Sequence, residues 1–462
     1  MIVCLFRKGR STHRMKPTFV TILCLTVLLV CCPLVYPEWS DVEVVSTEST
    51  GNAYRAIVGV DSLGTVHVAW KDDSDILGAG SDWDVMYKSK PTMGQWTPTE
   101  LVSTGSSLTS HCLFLTVDHQ DTVHVVWKED TDAFSSGSDS DIWYAQKPRD
   151  GQWSSPEIVS TESVTDSSCP CVAVDSSGRI VIVWADGTNY SGSGDDWDVV
   201  VRWKEPDGIW SPIEVVSTES THNCLKASLA LEETGEIHVV WIEEGANYSG
   251  SGDDWDVMYK ARGRNGSWNP VEVVSTDSSG DSLNPSFLMI DAEGTLHIAW
   301  VDDTNTGGIG GSNNIFYAYK RSLEPWSQSQ IVTFDSQESC NWPYLCVDGN
   351  NTVYVTWSDA TTWDDTGDDY DIVYRKKPKE GEWSEVDVIS TGSIHDSHWP
   401  SCCVDNDGLF HVTWWDEQES QWTTYYRVNV PEGHHQGESS GLGVGILFGV
   451  LFFFLVWRRI RK

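Results

Sequence analysis

Thr65-Val66-His67-Val68-Ala69-Trp70 alternates apolar residues with small or polar ones at a period of two, the pattern of a β-strand. It ends in tryptophan, and so do six equivalent segments, at Trp127, Trp184, Trp241, Trp300, Trp357 and Trp414, spaced by 57, 57, 57, 59, 57 and 57 residues. A second series, Trp39, Trp96, Trp153, Trp210, Trp268, Trp326 and Trp383, runs at 57, 57, 57, 58, 58 and 57. The two ladders use 14 of the 25 tryptophans in 462 residues. A fixed period of this length, kept seven times, specifies a repeat architecture.

Each unit reads as four short strands. In the first unit these are Ala56–Val60, the quoted segment, Asp84–Lys88 and Glu100–Thr104, with turn residues between the first two and a long acidic loop between the second and third. The seventh unit has a first strand (Ser401–Val404), a second (Phe410–Trp414) and a third (Thr423–Val428) but lacks a fourth. A solitary fourth-strand sequence, Trp39 to Thr47, precedes the first unit. Joining the two removes the open sheet edges that a linear array would expose. The expectation is an all-β protein: a seven-bladed β-propeller of four-stranded blades over 38–430, its N-terminal strand closing the last blade.

The two ends set the compartment. Residues 1–37 carry five bases (Arg7, Lys8, Arg10, Arg14, Lys16), no acid and an apolar run from Phe19 to Val35, which reads as a signal peptide or N-terminal anchor. After a polar linker at 431–440, residues 441–457 form an apolar stretch of 17, closed by the basic tail at 458–462. That is one C-terminal transmembrane helix with a cytoplasmic tail, so the expected location is the cell membrane, single-pass, with the propeller extracellular. Between the two ends lie all 68 acids against 21 bases, a net charge of −47. This excludes a nucleic-acid partner, which needs clustered Lys and Arg.

The turn before the fourth strand reads Pro148-Arg149-Asp150-Gly151-Gln152-Trp153-Ser154, then Pro206-Asp207-Gly208-Ile209-Trp210-Ser211, then Glu380-Gly381-Glu382-Trp383-Ser384. It resembles a degenerate Asp box, the Ser-x-Asp-x-Gly-x-Thr-Trp turn of the BNR-repeat, sialidase-like propellers. Met93 and Asn265 stand where the motif has its acid, and Leu323-Glu324-Pro325-Trp326 lacks the glycine. The resemblance implies fold, since Asp boxes are structural turns. Sialidase activity in that superfamily implies three convergent arginines and a Tyr/Glu pair. Of nine exterior arginines only Arg55 falls on the face where such a site would sit, so the expectation is a non-catalytic relative, with no catalytic residue assigned.

Three constellations remain. The segments from the end of each second strand to the start of each third hold 30 acids and two bases, all on one face. Within them Asp195, Asp196 and Asp198, then Asp253, Asp254 and Asp256, then Asp368, Asp369 and Asp371, are candidate calcium ligands, because calcium takes hard carboxylates. The alternative is a solvated acidic rim. Second, six and seven residues before the acid ending each first strand, the repeat breaks at equivalent, channel-facing positions. Arg55, His111, Lys226, Trp342, His398 and Trp399, with nearby His395, are the candidate binding site at the channel mouth; the alternative is channel plugging. Third, Cys112, Cys169, Cys171, Cys224, Cys340, Cys346, Cys402 and Cys403 form an even set in an exported chain, so disulfides between neighbouring blades are expected, with metal binding the minor alternative. Histidines 67, 124, 238, 297 and 411, each three residues before a ladder tryptophan, sit in five different blades and are expected to make structural hydrogen bonds.

Repeated acids and scarce bases favour a non-catalytic module that binds a glycan, a peptide or another surface protein through its acidic loop face. The alternative is a sialidase-like glycoside hydrolase or lyase using a carboxylate pair.

Overall fold

The computed structural model describes residues 38–430 except 133–137, 191, 246–252, 305–312, 364–366 and 419–420. Trp39–Asn429 forms one compact unit. The candidate signal and transmembrane segments lie outside the described residues, and no described helix is long and apolar enough to cross a membrane.

Seven antiparallel sheets each carry the four-strand order expected from the repeat. Blade one is Ala53–Val60, Val66–Asp72, Asp84–Lys90 and Glu100–Leu101. Closure follows as expected: Glu43 and Val44 pair with Tyr426 and Tyr425, and Ser40 N donates to the Val428 carbonyl, so the N-terminal segment supplies the outer edge of blade seven. Two strands differ from the sequence reading. The first strands begin earlier, at Ala53 in blade one, because pairing resumes across a bulge between Tyr54 and Ile57. The fourth strands are two residues long, because a side chain takes over the ladder: Ser103 Oγ accepts from Val85 N at 3.0 Å and donates to Asp84 Oδ1 at 2.7 Å.

The first tryptophan ladder is the core of the blades. All seven rings are buried, and six donate Nε1 to the carboxylate two residues on, as Trp184 does to Asp186 at 2.8 Å and Trp357 to Asp359 at 2.8 Å. Period two places indole and acid on one sheet face, so the pairing is built into the strand itself. That acid is also buried and gathers the loop in front of it: Asp186 accepts from Ser163 Oγ (3.1 Å), Ser167 Oγ (2.9 Å) and Thr188 N (2.8 Å). The second ladder joins blades. Trp96 of blade one meets Tyr426 of blade seven edge-on at 5.3 Å and donates to Glu43 at 2.9 Å. Trp210 repeats this on Tyr144 (6.3 Å) and Glu157 (3.2 Å) of the preceding blade, where Lys204 adds an ion pair at 2.6 Å.

The five repeated histidines are structural, as expected. Each Nδ1 meets the hydroxyl of a third-strand tyrosine, as in His124–Tyr144 at 2.8 Å. Each Nε2 faces the acid ending the first strand, as in His124–Asp118 at 3.2 Å. Burial alone would raise the pKa of Asp61, but His67 and the amides of Thr65 and Leu63 hold it at about 2.

If the indole–carboxylate pair is the fastening of a blade, Trp184→Phe strands a buried acceptor and lowers stability by about 1–3 kcal/mol. Trp184→Ala adds a cavity and lowers it by roughly 3–5 kcal/mol. Denaturant melts of the two variants, read against the parent, check the order.

Candidate functional site

The bulge in each first strand leaves one residue in the left-handed region, and the seven form a ring around the axis: Arg55 (φ 56°), Cys112 (44°), Cys169 (50°), Lys226 (52°), Asn284 (45°), Trp342 (52°) and Trp399 (47°). None is glycine, so each position costs on the order of 1–2 kcal/mol. The surrounding ladder holds them, and the bulge turns their side chains toward the axis. Six of them stand six residues before the acid that ends the first strand, and Asn284 stands seven before Asp291; both are positions where the repeat breaks in the sequence.

These residues line a cavity of about 290 Å³ at the channel mouth. Its floor is closed by aromatic rings: Phe287 lies 4.2 Å from Phe114 and 5.3 Å from Tyr344 between ring centroids. Its rim is the face of the acidic loops, since each bulge lies beside the C-terminal end of a second strand, Cys112 following the Ser110–Glu129 and His111–Lys128 pairs.

The mouth has two chemically different sides. On blades one and four it is cationic. Arg55 stacks its guanidinium 3.4 Å from the Trp399 ring centroid, and its buried Nε has no hydrogen-bond partner. Lys226 donates to Asn284 of the neighbouring blade. Lys71 sits behind Arg55, bonded to the Tyr54 hydroxyl and His111 Nδ1, both at 3.2 Å, and burial beside Arg55 lowers its pKa to about 8. On blades six, seven and one it is aromatic. Trp342 meets His398 at 4.9 Å and Trp399 at 5.6 Å, His398 meets Trp415 at 4.8 Å, and Tyr54 meets Trp422 at 4.9 Å and Trp83 at 4.8 Å. Trp399 Nε1 and His398 Nδ1 are buried donors or acceptors without partners among the described residues. The described lining contains no Asp or Glu.

Of the residues expected at the mouth, Arg55, Lys226, Trp342 and Trp399 line the cavity, and His111 and His398 stand directly behind it. His111 also faces Asp130 at 3.2 Å, and burial lowers its pKa. His395 is not in the lining; its loop is held by Ser393, whose Oγ donates to the His395 carbonyl at 3.0 Å. Lys71 lies outside the expected set, while Tyr54 stands seven residues before Asp61, at one of the repeat-breaking positions. Lys71 departs from the repeat at the position that is Ala185 in blade three and Trp415 in blade seven, a signal present in the sequence.

The cysteines divide into three kinds. Cys112 and Cys169 approach to 3.7 Å at the mouth, and Cys346 and Cys402 to 3.3 Å in the core, each pair drawn from neighbouring blades; all eight are thiols in this structure. Cys224 and Cys340 instead occupy the place held by Ser110, Ser167 and Ser397, under the buried acid, and Cys340 Sγ lies 3.5 Å from Asp359. Cys171 faces Ser228 at 3.9 Å, and Cys403 is half-buried in the last blade. Cys112 accepts a hydrogen bond from the Cys169 thiol and faces Arg55, Lys71 and His111, which together hold its pKa well below the usual thiol value despite burial.

The proposed calcium triplets do not hold together as triplets. Asp195, Asp253 and Asp368 are exposed, while Asp196 with Asp198, Asp254 with Asp256, and Asp369 with Asp371 turn inward. Alternation in the extended chain puts residues two apart on one side and sends the third carboxylate outward. Among the described residues no three His, Cys, Asp or Glu side chains converge as metal ligands.

No family model matches the chain, and no curated protein matches it. Its backbone is similar to those of several solved structures. A polysaccharide lyase, Uly1, is 12% identical with a TM-score of 0.49, over 81% of this chain and 89% of that one. A Penicillium chrysogenum alpha-L-arabinanase complexed with arabinobiose is 12% identical with a TM-score of 0.47, over 84% and 98%. An intramolecular trans-sialidase from Ruminococcus gnavus is 12% identical with a TM-score of 0.42, over 86% and 99%. These likenesses concern the fold.

The charge around Cys112 gives a direct check. In the reduced protein at pH 6.5, iodoacetamide is expected to label Cys112 ahead of the other seven propeller cysteines, because thiolate is the nucleophile. Arg55→Ala should slow that labelling about tenfold by returning Cys112 toward the thiol, as measured by peptide mass spectrometry.

Proposed function

We propose that this chain is a non-catalytic binding propeller that takes an acidic saccharide unit at the mouth of its channel, displayed outside the cell on the 441–457 segment. The observation that carries the reading is Arg55 stacked on Trp399 with its Nε unpartnered, inside a cavity that Lys226 and Trp342 also line. A sugar ring offers C–H faces that pack on indole, and a carboxylate accepts paired hydrogen bonds from a guanidinium. The mouth supplies both within one cavity. A single carboxylate also suits the wider electrostatics. The acidic rim repels a polyanion, while Arg55, Lys71 and Lys226 make a local cationic well for one charge.

The membrane location rests on the apolar 441–457 stretch and the basic tail behind it. The binding reading needs no carboxylate at the ligand, and the described lining has none. A glycoside hydrolase would need two carboxyl groups flanking the scissile bond.

Calorimetric titration with uronic-acid and sialylated oligosaccharides, beside neutral ones of the same length, tests this. Binding of an acidic sugar should weaken by about 10–100-fold in Arg55→Ala, the loss of a charge-assisted hydrogen bond worth about 1.5–3 kcal/mol. Trp399→Ala should weaken it to a similar extent. Equal affinity for neutral sugars, or an unchanged constant in both variants, contradicts the reading. Release of reducing ends from any sugar would make the chain a hydrolase instead.

A further inference from the structure

The mouth holds two thiols that saccharide binding does not use. Cys112 and Cys169 occupy the same bulge position in neighbouring blades, six residues before Asp118 and Asp175. Both sit in the left-handed region, at φ 44° and 50°, and both line the cavity. The two sulfurs approach to 3.7 Å, with the Cys169 thiol donating to Cys112. The other five blades place Arg55, Lys226, Asn284, Trp342 and Trp399 there, so the two thiols of this ring stand side by side.

The charge around the pair is positive. Arg55 Nη1 donates to Cys112 Sγ at 3.7 Å. Lys71 stands behind, 3.2 Å from His111 Nδ1, and Lys226 lines the same cavity. Such surroundings favour the thiolate, the form that acts as a nucleophile. Cys346 and Cys402 are the contrast. Their sulfurs are closer, at 3.3 Å, but they are buried in an apolar cluster with Ile372, Phe410 and Val412. Burial pushes the Cys346 thiol well above its usual pKa. One pair is sealed from any reactant, while the other opens on a cavity beside a guanidinium.

The geometry points to a redox-active dithiol at the channel mouth: Cys112 and Cys169 exchange with a low-molecular-weight disulfide, and the bond they form removes the anion that Arg55 faces. In the first step the Cys112 thiolate attacks one sulfur of R–S–S–R. A Cys112–SR bond forms, the external S–S bond breaks, and RS⁻ leaves to take a proton from water. In the second step Cys169 gives its proton to water and its sulfur attacks Cys112 Sγ. The Cys112–Cys169 bond forms and a second RS⁻ leaves. Two protein thiols are oxidised and one external disulfide is reduced to two thiols. The sulfurs close from 3.7 Å to the roughly 2.05 Å of a bond.

The exchange changes the charge at the mouth. In the reduced protein the thiolate is a counter-ion to Arg55, and it competes with any carboxylate that the guanidinium would take. In the disulfide both sulfurs are neutral, and Arg55 Nη1 is released. This consequence for ligand binding rests on the saccharide reading, whereas the exchange itself does not.

The experiment uses the full chain, reduced and freed of reductant, with hydroxyethyl disulfide as the probe at pH 7. Samples are quenched with acid, alkylated and read by peptide mass spectrometry. The Cys112–Cys169 link should form before any Cys346–Cys402 link and reverse with dithiothreitol. Cys169→Ser should stop at the first step and accumulate the hydroxyethanethiol adduct on Cys112. No link in the parent, or no Cys112 adduct in Cys169→Ser, overturns the exchange. Two further readouts follow Arg55. Phenylglyoxal should modify it faster in the oxidised parent than in the reduced one, with no sugar present. An acidic oligosaccharide should bind the oxidised parent about tenfold tighter, the order of one charge-assisted hydrogen bond. Cys112→Ser should bind it equally in both conditions. Equal phenylglyoxal rates in the two states overturn the release of Arg55. Absence of sugar binding in both states, with the link and the faster modification present, overturns the saccharide reading alone.

Discussion

Every blade is fastened by one contact: a fully buried indole facing the carboxylate two residues further along the same strand, drawn as an Nε1 hydrogen bond in six of the seven. Neither partner is tolerable alone. A buried carboxylate needs donors, and the indole needs an acceptor. Once paired, the acid has lone pairs left over, and it uses them to collect serine hydroxyls of the incoming loop and a backbone amide of the outgoing one. The loop face of the propeller is therefore positioned from inside the blade. The second tryptophan of each repeat then locks one blade onto the tyrosine and acid of the one before it.

That rigidity is what makes the channel mouth possible. Seven bulged residues sit at positive φ, among them arginine, lysine and two tryptophans, and isolated chains avoid that conformation. The ring persists because each bulge is flanked by paired strand on both sides. Its effect is to aim one non-repeated side chain per blade at the axis. A chain with a net charge of −47 over residues 38–457 thereby presents a small cationic and aromatic mouth inside an acidic rim.

Much of this was legible in the sequence, for a definite reason. The tryptophan ladders record the blade core directly, and the solitary strand from Trp39 to Thr47 announces the closure. The mouth was legible as the positions where the repeat breaks. What could not be read was geometry that leaves no periodic trace. The bulge that carries Arg55 inward belongs to the strand and not to the preceding loop. Cys224 and Cys340 resemble disulfide partners in composition, yet they stand in for serine beneath a buried acid. Lys71 lies on a strand face that faces the core in other blades, so only its contact with Tyr54 and His111 reveals its place behind Arg55. The aspartate triplets reduce to pairs because a strand cannot turn three neighbouring carboxylates to one side.

The blades repeat one plan, so the content specific to this chain lies in the mouth, where the repeat breaks. The central claim is that the ring of bulged residues is where a ligand is held. A crystal structure of the chain with a bound acidic oligosaccharide tests it most directly. The account places the sugar carboxylate on Arg55 and a pyranose face against Trp399 or Trp342. A sugar seated on the outer loops or between blades, with the mouth filled only by water, would contradict it.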